Sequence, residues 1–430
     1  MEPSAVAVER DQQFQIPRVG PRGLSDGRRV LVFTTLFPNP AQPRLGVFVR
    51  DRVVAVAAHC QTHVVAPVLS RWGLQQLEHG PAGSVPLKEL QGSLPVSHPR
   101  FNTIPGLGRF ADGALLFLQT VSHVRQLRAD FPFDVIDAHY AFPDGTAAVL
   151  LGRRFRVPVC LTVRGGDLDL LPRFRLRRRV IRRTLQRAAR VFAVSQHLAD
   201  RAVALGAPQE RVQVVTNGID AEKFHRIDQE RARASLGISP DFPLVLCVAH
   251  MIAEKGHHIL VEAFARVHAN GAAAPHLIMI GSDQRGDQAY RRQIENRVSD
   301  LGLTERVRVL AARPQNELRT WYSAADVVVL PTFREGCPNV VREALACGAP
   351  VVASRVGGVP ELITSDALGL LVEPGDVGDL AAAVDAALRQ NWDRVAIAAS
   401  GGQRTWESIA GTIAGEFTSL VRENALERGG

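Results

Sequence analysis

The 430-residue sequence contains no run of about eighteen uncharged apolar residues, the length a helix needs to cross a hydrocarbon core. Its first 28 residues carry charges and no apolar h-region, which argues against a secretory signal. They read as a mobile tail. Cysteine is scarce, five in all (Cys60, Cys160, Cys247, Cys337 and Cys347), and no Cys-x-x-Cys pair occurs. Three of the five fall in apolar or strand-like contexts, so buried thiols in a reducing cytoplasm are expected, not disulfides or a metal site. No His/Cys/Asp cluster has ligand spacing. A dinucleotide-binding Gly-x-Gly-x-x-Gly is missing as well: Gly106-Leu107-Gly108 has no third glycine and no strand before it. Internal repeats and low-complexity tracts are also lacking.

What is present is an ordinary globular composition, 46% apolar and 22% charged, on a chain long enough for two or three domains. The net charge of +8 is unevenly placed. Residues 1–210 hold 28 Lys+Arg against 16 Asp+Glu, and residues 211–430 hold 23 against 27. Most of the excess lies in Arg173 to Arg190, which contains nine arginines and no acid. That segment reads as a helix with a loose apolar stripe of Leu171, Phe174, Val180, Ile181 and Leu185. The expectation is that Arg177, Arg178, Arg182 and Arg183 rest on an anionic membrane surface. The plainer reading is a solvated basic helix that recognises an acidic glycan. Apart from Phe174 it lacks interleaved aromatics and matches no nucleic-acid-reading module, so no nucleic-acid partner is expected.

Short apolar runs alternate with longer helical stretches, which indicates β-α repeats around parallel sheets. Strands are expected at 29–35, 63–67, 133–139, 158–163 and 190–195, then at 243–249, 276–280, 307–311, 326–330, 350–354 and 369–372. The second set fits a six-stranded doubly wound sheet. The spacing therefore predicts an α/β protein of two Rossmann-like domains facing across a cleft, 29–207 and 208–402. A last helix is expected over 403–422. Gly80–Pro105 is the least patterned stretch and reads as a loop.

The densest cluster of signals is Pro331 to Cys347, after the run Asp326–Leu330. It carries Glu335 and Glu343 with seven residues between them. Gly336 frees the backbone, and Pro338 suits the first turn of a helix that should end at Gly348. Both carboxylates then face one crevice beside helix amides that favour an anion. On spacing alone they could equally be a loop acid and a solvated helix acid. A second cluster, Val248 to Gly256, places Lys255 on a loop ahead of a helix, where its point charge can neutralise a diphosphate. Gly281-Ser282-Asp283 and Gly357–Glu361 mark further turns at the carboxyl edge of the sheet, where doubly wound folds hold ligands. Asp167-Leu168-Asp169 is formally an Asp-x-Asp metal motif, but it lies away from this edge.

These segments resemble, in order and over roughly residues 29 to 400, the family 4 retaining glycosyltransferases of the glycosyltransferase B fold. Leu36-Phe37-Pro38-Asn39 and His250 to His257 look like the bacterial branch that builds teichuronic-acid-type or exported polysaccharides. The resemblance implies a nucleotide-sugar donor, UDP- or GDP-linked, as substrate with no cofactor, and a glycan or lipid-linked acceptor. It implies that Glu335 contacts the donor sugar and Glu343 the ribose, with Gly336, Cys337, Pro338 and Asn339 in the donor loop and Gly281 beside it. Gly46 would approach a phosphate, and His139 would face the sugar from the opposite wall. The family commonly pairs its lysine with an arginine five residues earlier, where this chain has His250. Many relatives carry His-Gly-x-Asp where it has Arg164-Gly165-Gly166-Asp167. Arginine cannot act as a base, so Arg164 and Asp167 are assigned to acceptor or anion recognition. The family's chemistry is front-face attack assisted by the leaving phosphate, without a metal. The competing reading is a non-catalytic nucleotide-sugar-binding subunit, which should show broken acids, yet both are intact. Expected localisation is cytoplasmic, on the inner face of the cell membrane.

Overall fold

The apolar runs form two parallel sheets, each covered by helices on both faces. The computed structural model describes residues 27–70, 85–104, 106–269, 275–281 and 288–429; nearly all of the expected tail lies outside them. The first half holds β1 (Arg29–Phe33), β2 (Gln61–Val65), β3 (Val68–Leu69), β4 (Lys88–Gln91), β5 (Leu94–Ser97), β6 (Arg100–Phe101), β7 (Val135–His139), β8 (Val159–Val163), β9 (Arg190–Ala193) and β10 (Val212–Val214). The second half holds β11 (Leu244–Val248), β12 (His276–Gly281), β13 (Val307–Ala311), β14 (Val327–Leu330), β15 (Val351–Ser354) and β16 (Gly369–Val372). Runs such as Val327-Val328-Val329-Leu330 are buried throughout, as parallel strands between two helical layers must be.

The C-terminal sheet runs β13-β12-β11-β14-β15-β16, with a switch point between β11 and β14. The N-terminal sheet runs β10-β9-β8-β7-β1-β2-β5-β4. Two differences from the sequence reading appear here. Gly80–Pro105 is not a bare loop: β4 and β5 pair antiparallel around the two-residue turn Gly92-Ser93, with Gly92 at φ 63, and form the edge of the sheet. Their polar residues, Lys-Glu-Leu-Gln in β4, hide the alternation that would mark a strand. β10 pairs with β9, so the N-terminal unit continues past residue 207 and the chain crosses over after Val214.

The helix Trp406–Gly429 returns across the connection. Ile409, Ile413 and Phe417 join Val49, Val53 and Val56 of the helix Val47–Ala57 in one buried cluster. The crossing is fixed at Ile219–Thr405, a bridge between the two segments, and at Gly218, which packs on the Trp406 backbone.

Candidate active site

β14 delivers its loop at the switch point, and neighbouring backbone sets the loop's shape. A side chain on Gly256 (φ 72) would meet the Pro331 carbonyl at 1.9 Å, so the turn after Lys255 lies directly on the loop. Lys255 Nζ thereby reaches Glu335 Oε1 at 2.6 Å. From below, Gly357 (φ 52) presses on the Glu335 carbonyl, and the Gly358 N–H donates to the Gly336 carbonyl at 3.0 Å. Pro338 caps the following helix, Asn339–Ala346, one position earlier than its expected place in the first turn. The half-buried Cys337 sulfur accepts from Arg342 at 3.8 Å.

Glu343 sits one turn into that helix and is buried. Burial pushes its carboxyl up to about 7, against the Tyr322 hydroxyl, which donates to Oε2 at 2.9 Å. Glu343, Asn339 and Arg342 line a cleft completed by Phe48 and Asp51 of the N-terminal domain, Ile219 and Asp220 of the connection, and Trp406 of the returning helix. Sequence reasoning missed Phe48, Asp51, Tyr322 and Trp406. Phe48, Asp51 and Trp406 reach the cleft only through the fold, and Tyr322 stands fully buried behind Glu343. Gly281 ends β12 against the Ala249 carbonyl, 2.0 Å from where a Cβ would stand, so packing explains this glycine. His250 beside it is exposed. Ser282 and Asp283 lie outside the described residues.

The opposite wall differs from expectation at His139 and Asp167. Gly46 holds the left-handed start of the helix Val47–Ala57, φ 63, against the Leu36 carbonyl, where a Cβ would come within 2.2 Å. His139 is fully buried. Its Nδ1 accepts from Arg164 Nη2 at 2.9 Å and its Nε2 lies 3.4 Å from Asp137, which is also paired with Arg52. Arginine only donates, so the His139 proton belongs on Nε2, facing Asp137. Burial, reinforced by Arg164 and Arg52 and opposed by Asp137, pushes the imidazole down to about 4, so it is neutral at pH 7. The ring is thus locked inside the wall instead of presented to a sugar. Asp167 is buried and accepts from the backbone N–H groups of Ala141 (2.9 Å), Arg164 (3.0 Å) and Gly165 (2.8 Å). It ties two loops together, which corrects its assignment to acceptor or anion recognition. Arg164 itself stacks 4.9 Å from the Phe48 ring and donates to Asn217 Oδ1 at 3.2 Å, and Asn217 donates to Asn339 Oδ1 at 2.8 Å. The domains touch at Gly336, where a Cβ would stand 2.1 Å from the Arg164 carbonyl.

The basic segment forms the helix Arg175–Arg187. Its expected apolar stripe is corrected: Ile181 and Leu185 are fully buried in the N-terminal core. The exposed apolar groups are Phe174 (61%) and Leu176 (47%). Arg177 is half-buried, 4.9 Å from the Phe174 ring, while Arg178, Arg182 and Arg183 are exposed.

Comparison with known proteins identifies the architecture. Residues 46–223 match the family model "Glycosyltransferase Family 4", and residues 228–404 match "Glycosyl transferases group 1". A D-inositol 3-phosphate glycosyltransferase of Geodermatophilus obscurus is 30% identical over 358 residues, 79% of each chain. The putative teichuronic acid biosynthesis glycosyltransferase TuaC of Bacillus subtilis is 27% identical over 369 residues, 83% of this chain and 88% of that one. Among solved structures, sucrose-phosphate synthase of Thermosynechococcus elongatus superposes with a TM-score of 0.73 at 22% identity, covering 92% of this chain and all of that one. Anabaena HepE in complex with UDP gives 0.69 at 22% identity, covering 91% and 100%. With both halves matched in order and the two-sheet architecture shared, the chain belongs to glycosyltransferase family 4 and has the glycosyltransferase B fold.

Proposed function

We propose that the protein transfers a sugar from a nucleotide-sugar donor, with retention, to a lipid-linked or glycan acceptor in the synthesis of a cell-surface or exported polysaccharide. The observation that carries this reading is the loop after β14, which holds Glu335 in an ion pair with Lys255 and leads directly into the helix whose Asn339 and Glu343 line an interdomain cleft. In this reading Glu343 accepts from ribose hydroxyls and Glu335 holds the sugar. Lys255 and the helix amides offset charge on the departing diphosphate, the largest electrostatic demand of the transition state. These protein-borne cations support a metal-independent reaction that survives EDTA. HepE bound to UDP supports a uridine donor by analogy of fold.

The acceptor is placed at the cytoplasmic face of a membrane. Exposed Phe174 and Leu176 at the start of an arginine-rich helix are suited to an anionic interface, with each basic side chain contributing about 1 kcal/mol at best. Sedimentation with phosphatidylglycerol vesicles at low salt tests it. Binding should be lost when Arg177, Arg178, Arg182 and Arg183 become glutamine, and indifference to vesicles would leave a soluble acceptor as the answer. A thermal-shift screen of nucleotides and nucleotide sugars identifies the donor, because a specific ligand raises Tm by mass action. With that donor, Glu335→Ala should retain nucleotide binding and lose transfer. Unchanged turnover would sink the assignment.

A further inference from the structure

A cation taken partly out of water without a counter-ion is costly unless an anion completes it. Arg164 comes close to this case: Asp137, beyond His139, and Asp167 act on it through space, but neither is paired with it directly. Its Nη2 donates to the neutral Nδ1 of His139, its Nη1 donates to the amide oxygen of Asn217, and its Nε has no hydrogen-bond partner. No carboxylate among the described residues is ion-paired with it, whereas the neighbouring Arg52 is paired with Asp137. Its position is fixed from several sides. Phe48, which lines the donor cleft, lies 4.9 Å under the guanidinium. Asn217 carries the contact onward to Asn339, the first residue of the donor helix. The Arg164 carbonyl meets Gly336 of the donor loop. The guanidinium therefore stands on the N-terminal wall opposite the loop that Lys255 serves from the C-terminal side.

We infer that Arg164 is a ligand of the donor's diphosphate, supplied from the N-terminal domain and held in register by the Asn217–Asn339 hydrogen bond. The inference rests on the donor site proposed above. The diphosphate is then gripped from both domains, Lys255 on one side and Arg164 on the other, so full affinity requires the domains to be together. A nucleoside monophosphate, which lacks the second phosphate, should feel Arg164 much less.

The test is titration calorimetry of UDP, GDP and the matching monophosphates against wild type, Arg164→Gln, Arg164→Lys and Asn217→Ala. Loss of a charge-assisted hydrogen bond should weaken the preferred nucleoside diphosphate about tenfold or more in Arg164→Gln, with monophosphate affinity nearly unchanged. Arg164→Lys should recover much of the difference. Asn217→Ala, which keeps the cation and removes its tether, should fall between. The ratio of diphosphate to monophosphate affinity is decisive, because a merely damaged fold weakens both. If the ratio in Arg164→Gln equals that of wild type, Arg164 is not a diphosphate ligand. If wild type binds neither diphosphate, the donor-site reading itself fails.

Discussion

A helix carboxylate is ordinarily ionised well below neutrality, but Glu343, on the helix Asn339–Ala346, is pushed up to about 7 by burial. The consequence is a pH dependence with a definite sign. Under the proposed ribose contact, hydroxyls donate to the ionised form, so nucleotide affinity should be full above pH 7 and fall as pH drops through it. At pH 6 it should be about tenfold weaker, one unit below the titration. Glu343→Gln, which cannot ionise, should bind weakly and with a flat profile between pH 6 and 8; a sloping one would assign the titration to another group. Asp167 poses the opposite case, an acid whose oxygens are consumed by the backbone. Asp167→Ala leaves the amides of Ala141, Arg164 and Gly165 without an acceptor. A loss of about 3 kcal/mol in urea unfolding is expected, with Asp167→Asn costing less. A change under about 0.5 kcal/mol, the level of an ordinary surface substitution, would contradict the capping role.

Among the elements, the helix Gln196–Ala204 connects the domains most directly. Ser195 caps it, yet its first two amides, Gln196 and His197, donate to Glu361 of the C-terminal domain at 2.8 and 3.1 Å. A carboxylate at a helix N-terminus is favoured by the unsatisfied amides and the dipole there. Glu361 follows the Gly357-Gly358 turn, which supports the donor loop and touches Ser195. The same segment therefore sets the loop and joins the domains. Because Glu361 is exposed, the effect is modest. Glu361→Ala should speed hydrogen exchange at Gln196 and His197 severalfold while the rest of the helix keeps its protection. Wild-type exchange at those two amides would show that the contact is not maintained in solution.

For the whole molecule, the residues of the proposed donor site are divided between the two domains. Glu335, Glu343 and Lys255 stand on the C-terminal unit, and Phe48, Asp51 and Arg164 on the other. A bound nucleotide sugar should draw them together and exclude water from the donor. Small-angle scattering should report a smaller radius of gyration with the nucleotide sugar than without it, and an identical radius would indicate a preformed site. The charge division fits the same arrangement. The N-terminal half carries the arginine excess and the exposed Phe174 and Leu176, so under the proposed membrane association it is the first domain that would be held at the surface.

Local signals were strong where one residue or period fixes the backbone. The central strands of the C-terminal sheet are apolar runs bounded by turns, and a buried parallel strand has few other readings. Gly256, Gly336 and Gly348 mark places where a side chain would strike neighbouring backbone or other close groups, and the placing of Lys255, Glu335 and Glu343 near strand ends follows from them. The sequence by itself therefore determined the repeat, the donor loop and its acids. Other properties depended on residues far apart in the chain. His139 looked available until Arg164 and Asp137 closed on it, and Asp167 looked free until three amides converged. The apolar residues of the basic helix divided between core and solvent only when the helix docked. β4 became a strand by pairing with β5, and the donor cleft gained Phe48 and Trp406 from opposite ends of the chain. Burial and hydrogen-bond partnership are properties of position in space, and a one-dimensional pattern records them only when the partners are close in sequence.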